Sequence, residues 1–165
     1  MTTTLYISDD KRWIVDKLKK TSDNKEGFFE SNKDVFVFAV SLGFNHNKQR
    51  ELLNTKGGEI PLHLFTKDHK DYIDTIAIAS TLDITDSEKG KVELLSWEDE
   101  DAVNKKLKIF QEYANGGLEI LNSELFQTNA TIYDNLLQLI YKESSSDNLS
   151  TPKIGNLKSL INAID

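Results

Sequence analysis

The sequence contains no cysteine, which excludes several kinds of chemistry at once. Disulfide bonds, thiolate catalysis and cysteine-based zinc sites all require that residue. The chain also lacks any run of about 20 apolar residues, the length needed for a membrane-spanning helix. Its first residues have no basic region followed by an apolar one, the pattern of a secretory signal. We therefore expect a cytoplasmic protein.

Histidine is scarce, with three residues in the chain. His46, His63 and His69 do not show the i, i+4 spacing that places two zinc ligands on one face of a helix. No Gly-x-Ser-x-Gly elbow is present. Asp9–Lys11 and Asp68–Lys70 come closest to a magnesium-binding nuclease motif, but each stands at a predicted helix start, where the helix dipole favours acids. We predict a non-enzymatic protein with no metal ion or other cofactor.

Size and charge fit one soluble domain. A chain of 165 residues is long enough to bury a substantial core. The formal net charge of −7 disfavours indiscriminate binding to nucleic acid or to an anionic membrane, but it leaves room for a local basic patch. Residues 83–101 are strongly acidic, and we interpret Glu98, Asp99 and Glu100 as the first turn of a helix capped by Ser96. A metal-binding carboxylate cluster is the alternative, although the segment lacks the fixed spacing of a calcium loop.

Residues 34–44 form the most concentrated apolar run in the sequence. Periodicity alone does not decide between helix and strand for such a run, and its valines and phenylalanines favour a strand. The flanks favour a helix from about Lys33 to Leu42, because Ser31 or Asn32 is a good N-cap and Gly43 suits the C′ position just past a helix end. We predict a helix that is buried on nearly all sides.

The remaining patterns predict a mainly α fold, a single compact helical domain of about six helices with one or two short N-terminal or edge strands. Leu5 and Ile7 alternate with polar residues, as in a half-buried strand, and Pro61 marks an extended edge segment. The longest periodic segment, residues 102–126, is interrupted by Asn-Gly-Gly at 115–117. The two glycines allow a bend, a break or a close helix crossing. A phosphate-binding loop would need a following Lys-Ser/Thr pair, which is absent.

We divide the chain into a helical core domain at residues 1–143, a linker at 144–150 and a C-terminal amphipathic helix at 151–165. The linker is rich in serine, which is typical of a solvated connection. Thr151 as N-cap and Pro152 at N1 begin the last helix. Its apolar face comprises Ile154, Leu157, Leu160, Ile161 and Ile164. We expect this helix to dock on its own domain or on another subunit, and in the second case the chain forms a homo-oligomer.

A polar loop follows the apolar run, and it contains the candidate nucleic-acid-binding residues. Lys48 and Arg50 are suited to grip a phosphate group, and His46 and Asn45 are suited to donate hydrogen bonds to it. The alternative interpretation is an ordinary exposed connection between two elements. The sequence alone leaves both interpretations open.

The N-terminal segment supports a second hypothesis. Its predicted strand is followed by a helix whose polar face is basic, carrying Lys11, Arg12, Lys17, Lys19 and Lys20. A strand and a basic helix followed by a second helix resemble ribbon-helix-helix DNA-binding regulators. The linker at residues 21–30 is long for that motif, and a solvated helix face explains the lysines equally.

Four segments together resemble a known family of small accessory proteins encoded beside DNA phosphorothioation (Dnd) systems, the group called Dnd system-associated protein four. The segments are Asp34–Phe44, Glu59–Leu62, Ile73–Ala79 and Lys108–Leu121. The resemblance covers residues 5–121. Because these segments are largely core-like, they indicate a shared fold more than a shared chemistry.

The resemblance implies a role in bacterial anti-phage defence. In these systems a modification module replaces a non-bridging phosphate oxygen of DNA with sulfur, and a restriction module attacks unmodified DNA. No catalytic residue carries over from the family. We therefore expect an accessory or regulatory component that acts by binding other Dnd proteins or DNA. The alternatives are a ribbon-helix-helix-like transcriptional regulator and a metal-dependent nuclease.

Overall fold

The computed structural model describes residues 4–81 and 92–145, and in these the fold is mainly α. The described elements are β1 (Thr4–Tyr6), α1 (Arg12–Leu18), α2 (Asn32–Asn45), β2 (Glu59–Pro61), α3 (Lys67–Thr81), α4 (Glu100–Leu125) and α5 (Ile132–Ser145), with short 3-10 turns at Asp9–Lys11 and Leu62–Leu64. This confirms the predicted mainly α domain with short strands. The helices of the described part are too short or too polar to cross a lipid bilayer.

The two strands form a small antiparallel sheet within one chain. Leu5 of β1 pairs with Ile60 of β2, and both side chains are fully buried in the core. The backbone N–H of Tyr6 donates to Gln111 Oε1 of α4 at 2.6 Å, so the outer edge of β1 is also occupied. Pro61 ends the strand β2, in agreement with the predicted edge segment.

The apolar run at residues 34–44 is helical, as the flanking residues predict. The Ser31 hydroxyl caps α2 by accepting a hydrogen bond from Asp34 N at 3.2 Å. The buried side chains of α2 are Val35, Phe36, Ala39, Val40 and Leu42. They pack against α4, whose buried face runs almost from end to end of the helix. The two helices therefore form the centre of the core.

Glycines bring α2 and α4 into backbone contact. A Cβ atom on Gly117 would lie 1.7 Å from the carbonyl oxygen of Ala39, and one on Gly43 would lie 2.0 Å from that of Tyr113. No side chain fits at either position. Helix α4 continues unbroken through residues 115–117, so the close helix crossing is the correct one of the three predicted alternatives.

Two predicted helix boundaries were wrong. Gly43 does not follow the end of α2; it lies inside the helix, at the crossing. Ser96 does not cap α4, because Asp99 holds that position and accepts from Asp101 N and Ala102 N. The Ser96 hydroxyl instead accepts from the backbone of Glu98 and Asp99 in the turn before the helix. Gly43 is needed for the contact with Tyr113 on α4 rather than for ending its own helix. Asp99 is a second good N-cap residue, and it takes the position predicted for Ser96.

Three sequence predictions fall partly or wholly outside the described residues. The acidic segment 83–101 is described only from residue 92 onward. Helix α5 ends at Ser145, so the last part of the predicted linker, residues 146–150, lies outside. The predicted C-terminal helix at 151–165 lies wholly outside.

Candidate nucleic-acid interface

The polar loop at residues 45–50 begins with a well-defined helix end. Asn47 has a positive φ of 49°, and its N–H donates to Phe44 O at 3.0 Å. The next N–H, that of Lys48, reaches back to Gly43 O at 2.7 Å. These two bonds form the Schellman motif, with Asn47 in the left-handed position that glycine usually holds. The direction in which Lys48 leaves the helix is thereby fixed.

The loop then lies directly on α4. Arg50 N donates to Glu112 O at 3.0 Å, and the buried Asn115 side chain donates to Arg50 O at 3.3 Å and to Glu51 O at 2.8 Å. Gly116 allows this contact, since a Cβ there would lie 1.9 Å from Lys48 O. The loop backbone is therefore anchored on both sides of Lys48.

The two cationic side chains of the loop converge on one carboxylate. Lys48 Nζ lies 3.0 Å from Glu119 Oε2, and Arg50 Nε lies 3.4 Å from the same oxygen. The Arg50 side chain is 54% exposed, and those of Lys48 and Glu119 are about one-third exposed. We call these three residues the Glu119 cluster. Its formal charge is one positive unit, because two cations share one anion.

The other two candidate residues lie beside this cluster but do not join it. His46 Nε2 lies 2.8 Å from Glu143 Oε1 of α5, so this ring links the loop to the last described helix. Asn45 is the final residue of α2 and is exposed. The structure thus brings Lys48 and Arg50 together and places His46 with a different acid.

Glu119 and Glu143 were missed at the sequence level. Glu119 follows Asn115 by four residues, which places both side chains on one face of α4. That spacing is visible in the sequence, but nothing local shows that the polar loop crosses α4 at this face. Glu143 is 97 residues from its partner His46, and no local pattern connects them.

Three of the five cations on the basic face of α1 pair with acids, among them Lys20 with Glu30 at 3.8 Å. Arg12 forms an ion pair with Asp16 at 2.8 Å and donates to Gly57 O at 3.1 Å. Lys11 contacts Asp10, and this hydrogen bond, with a second from Ser8, holds the pKa of the Asp10 carboxyl below its usual value. The Glu119 cluster differs from this face in that its two cations share one carboxylate on a loop whose backbone is anchored to α4.

The chemistry that the Glu119 cluster offers is charge and hydrogen bonding. Across residues 4–81 and 92–145, no three histidine, aspartate or glutamate side chains come together as a possible metal site. The Glu119 cluster offers charged N–H donors at fixed positions. Such donors form strong hydrogen bonds with carboxylate or phosphate oxygens.

Comparison with known proteins identifies a family but no individual relative. No curated protein and no solved structure matches the chain. A sequence model of the family described as DNA sulphur modification system-associated protein 4 matches residues 5–155, a range that includes helices α1 to α5 and the Glu119 cluster. The chain therefore belongs to the family of DNA sulphur modification system-associated protein 4.

Proposed function

We propose that this chain is a non-enzymatic accessory component of a bacterial DNA phosphorothioation-linked restriction and anti-phage defence system, and that it acts in the cytoplasm by binding. The family supports the link to DNA sulphur modification. The observation that carries the binding role is the convergence of Lys48 and Arg50 on Glu119, above a loop backbone anchored to α4. We propose that this cluster contacts a phosphate group of DNA.

The Glu119 carboxylate occupies the place that a phosphate would take. A phosphate oxygen accepts hydrogen bonds from lysine and arginine as a carboxylate does, and arginine can bind it through two N–H groups. Because the loop backbone is already fixed, little conformational entropy is lost when the ligand binds. With a net charge of −7 on the whole chain, we expect binding to depend on this local contact rather than on long-range attraction.

The pairing of β1 bears on the ribbon-helix-helix alternative. This alternative uses the N-terminal strand and the basic helix, and it predicts a dimer. Here β1 pairs with β2 of its own chain, and Tyr6 N on the other edge donates to Gln111. The strand has no free edge near Tyr6 for a partner subunit, so this alternative receives no support from the fold.

The double variant Lys48→Ala/Arg50→Ala tests the proposal. We expect weaker binding to duplex DNA and a flatter dependence of log affinity on log salt, by about one unit for each phosphate group that the variant no longer neutralises. Fluorescence anisotropy with a labelled duplex over a range of salt concentrations measures both quantities. The control variant Lys25→Ala/Lys105→Ala removes the same charge from two exposed positions elsewhere.

The outcome distinguishes DNA binding from protein binding. If the double variant binds DNA like the control, the cluster does not contact phosphate. Co-purification with the products of neighbouring genes then tests the protein-binding form of the proposal. Loss of a partner with the double variant but not with the control supports a protein contact at the cluster; retention of both DNA and protein partners excludes the cluster as the binding surface.

A further inference from the structure

Helix α5 has a second apolar stripe that faces away from the core. The core side of α5 buries Leu136 and Leu139. On the other side, Tyr133, Leu137, Ile140 and Tyr141 are 56%, 49%, 45% and 74% exposed, although one side of the Tyr133 ring stacks on Phe28 at 5.7 Å between ring centres. Their spacing is i, i+4, i+7 and i+8, which is the spacing of one face of a helix. We call these four residues the α5 stripe.

The α5 stripe is too small to hold two copies of the chain together by itself. A stable protein–protein interface buries roughly 800 Å² on each partner. The exposed surface of the four side chains of the α5 stripe amounts to about half of that area. A segment tethered to the same chain needs less area, because the tether gives it a high effective concentration.

The chain continues for twenty residues after Ser145, and these carry a matching pattern. Ile154, Leu157 and Ile161 repeat at intervals of three and four residues, with Leu160 and Ile164 beside them. We propose that residues 151–165 dock on the α5 stripe of their own chain as an antiparallel amphipathic helix. This proposal is independent of the Glu119 cluster and of DNA binding.

The lengths of the segments agree with this arrangement. Residues 146–150 provide a five-residue connection, within the two to eight residues that usually join packed antiparallel helices. At 1.5 Å per residue, the α5 stripe spans about 12 Å and the apolar face at 154–164 spans about 15 Å. The second face is therefore long enough to cover the first.

Engineered cysteines test the proposal in the full chain, because the native sequence has none to interfere. Two pairs are made, Leu137→Cys/Leu157→Cys and Leu137→Cys/Ile161→Cys. The control pair is Lys105→Cys/Ile161→Cys, whose first site is exposed and lies near the start of α4. After mild oxidation at low protein concentration, non-reducing electrophoresis separates disulfides within one chain from disulfides between chains.

We expect at least one α5 pair to form an intramolecular disulfide at least tenfold faster than the control pair. Adding Leu157→Asp to the Leu137→Cys/Ile161→Cys variant should slow that reaction at least fivefold, since a charge on the apolar face opposes docking but does not shorten the tether. Equal rates for the α5 and control pairs would overturn the proposal. So would disulfides that form mainly between chains, or a rate that Leu157→Asp leaves unchanged.

Discussion

At the scale of single residues, Lys106 is the most unusual position in the described part of the chain. Its side chain is completely buried, and Nζ lies 2.8 Å from Asp74 Oδ1 of α3. The same Nζ lies 3.7 Å from the centre of the Trp97 ring, and Trp97 Nε1 donates to Asp74 Oδ2 at 2.9 Å. Lys106, Asp74 and Trp97 therefore provide one another with an ion pair, a cation–π contact and a hydrogen bond. Partners of this kind are needed before a charge can be buried.

Removing the lysine should be costly. In Lys106→Ala, Asp74 keeps its negative charge in a largely buried place but loses its cation, and a cavity remains under Trp97. Breaking a buried ion pair in this way typically costs about 3 to 5 kcal/mol. Urea denaturation of the variant and the parent measures the loss. Lys105→Ala changes an exposed neighbour and should stay within about 0.5 kcal/mol of the parent; equal stability of the two variants would contradict this assignment.

Residue-level roles were predictable only where the cause is local. Ser31 caps α2 as expected, because its acceptor oxygen and the helix start are adjacent in sequence. The role of Lys106 carries no such signal. Its partner Asp74 is 32 residues away, and a lysine between apolar positions normally predicts an exposed site.

At the scale of the elements, the α2–α4 crossing determines the architecture. Its glycines let Ala39 O and Tyr113 O approach the opposite helix. Close crossing brings the side chains on either side into contact, as seen where Phe44 meets Tyr113 edge to face at 5.4 Å between ring centres. Nearby, burial raises the pKa of the Tyr72 hydroxyl, although its hydrogen bond with Ser41 partly opposes the shift.

Gly117→Ala should destabilise the protein even though alanine favours a helix. In an isolated helix the substitution would gain about 1 kcal/mol. Here the new Cβ would lie 1.7 Å from Ala39 O, so the two helices must separate, and overpacking of this kind costs about 1 to 3 kcal/mol or more. We expect a net loss of about 2 kcal/mol in thermal or urea denaturation. Ser123→Ala, at an exposed position of the same helix, is the control; a Gly117→Ala variant as stable as the control would contradict the close crossing.

The helices could be predicted from the sequence, but their crossing could not. Apolar periodicity and capping residues locate α2, α3 and α4 to within a few residues. The same patterns predicted that Gly43 ends α2. In the structure Gly43 lies within α2, where its missing side chain makes room for Tyr113 O of α4. For residues 115–117 the sequence allowed a bend, a break or a close helix crossing. A glycine pair is compatible with all three, and the sequence does not show which other segment lies against it.

At the scale of the whole molecule, the core and the candidate interface depend on each other. Gly116 is next to Gly117 of the crossing, and its lack of a side chain lets the polar loop lie against α4. The neighbouring Asn115 side chain donates a hydrogen bond to a loop carbonyl. The candidate residues Lys48 and Arg50 were identifiable from the sequence as exposed cations. The acid that pairs with them was not, because Glu119 faces the loop only once α2 and α4 have packed.

The most direct test of the proposed function is the affinity of Glu119→Gln for duplex DNA. If Lys48 and Arg50 bind a phosphate, removing the competing carboxylate should raise the affinity about three- to tenfold, which corresponds to the release of two surface ion pairs. Adding Lys48→Ala/Arg50→Ala should abolish the gain. The control Glu124→Gln removes an equal charge from an acid that pairs with Lys142 instead. An affinity for Glu119→Gln no higher than that of Glu124→Gln would contradict the account.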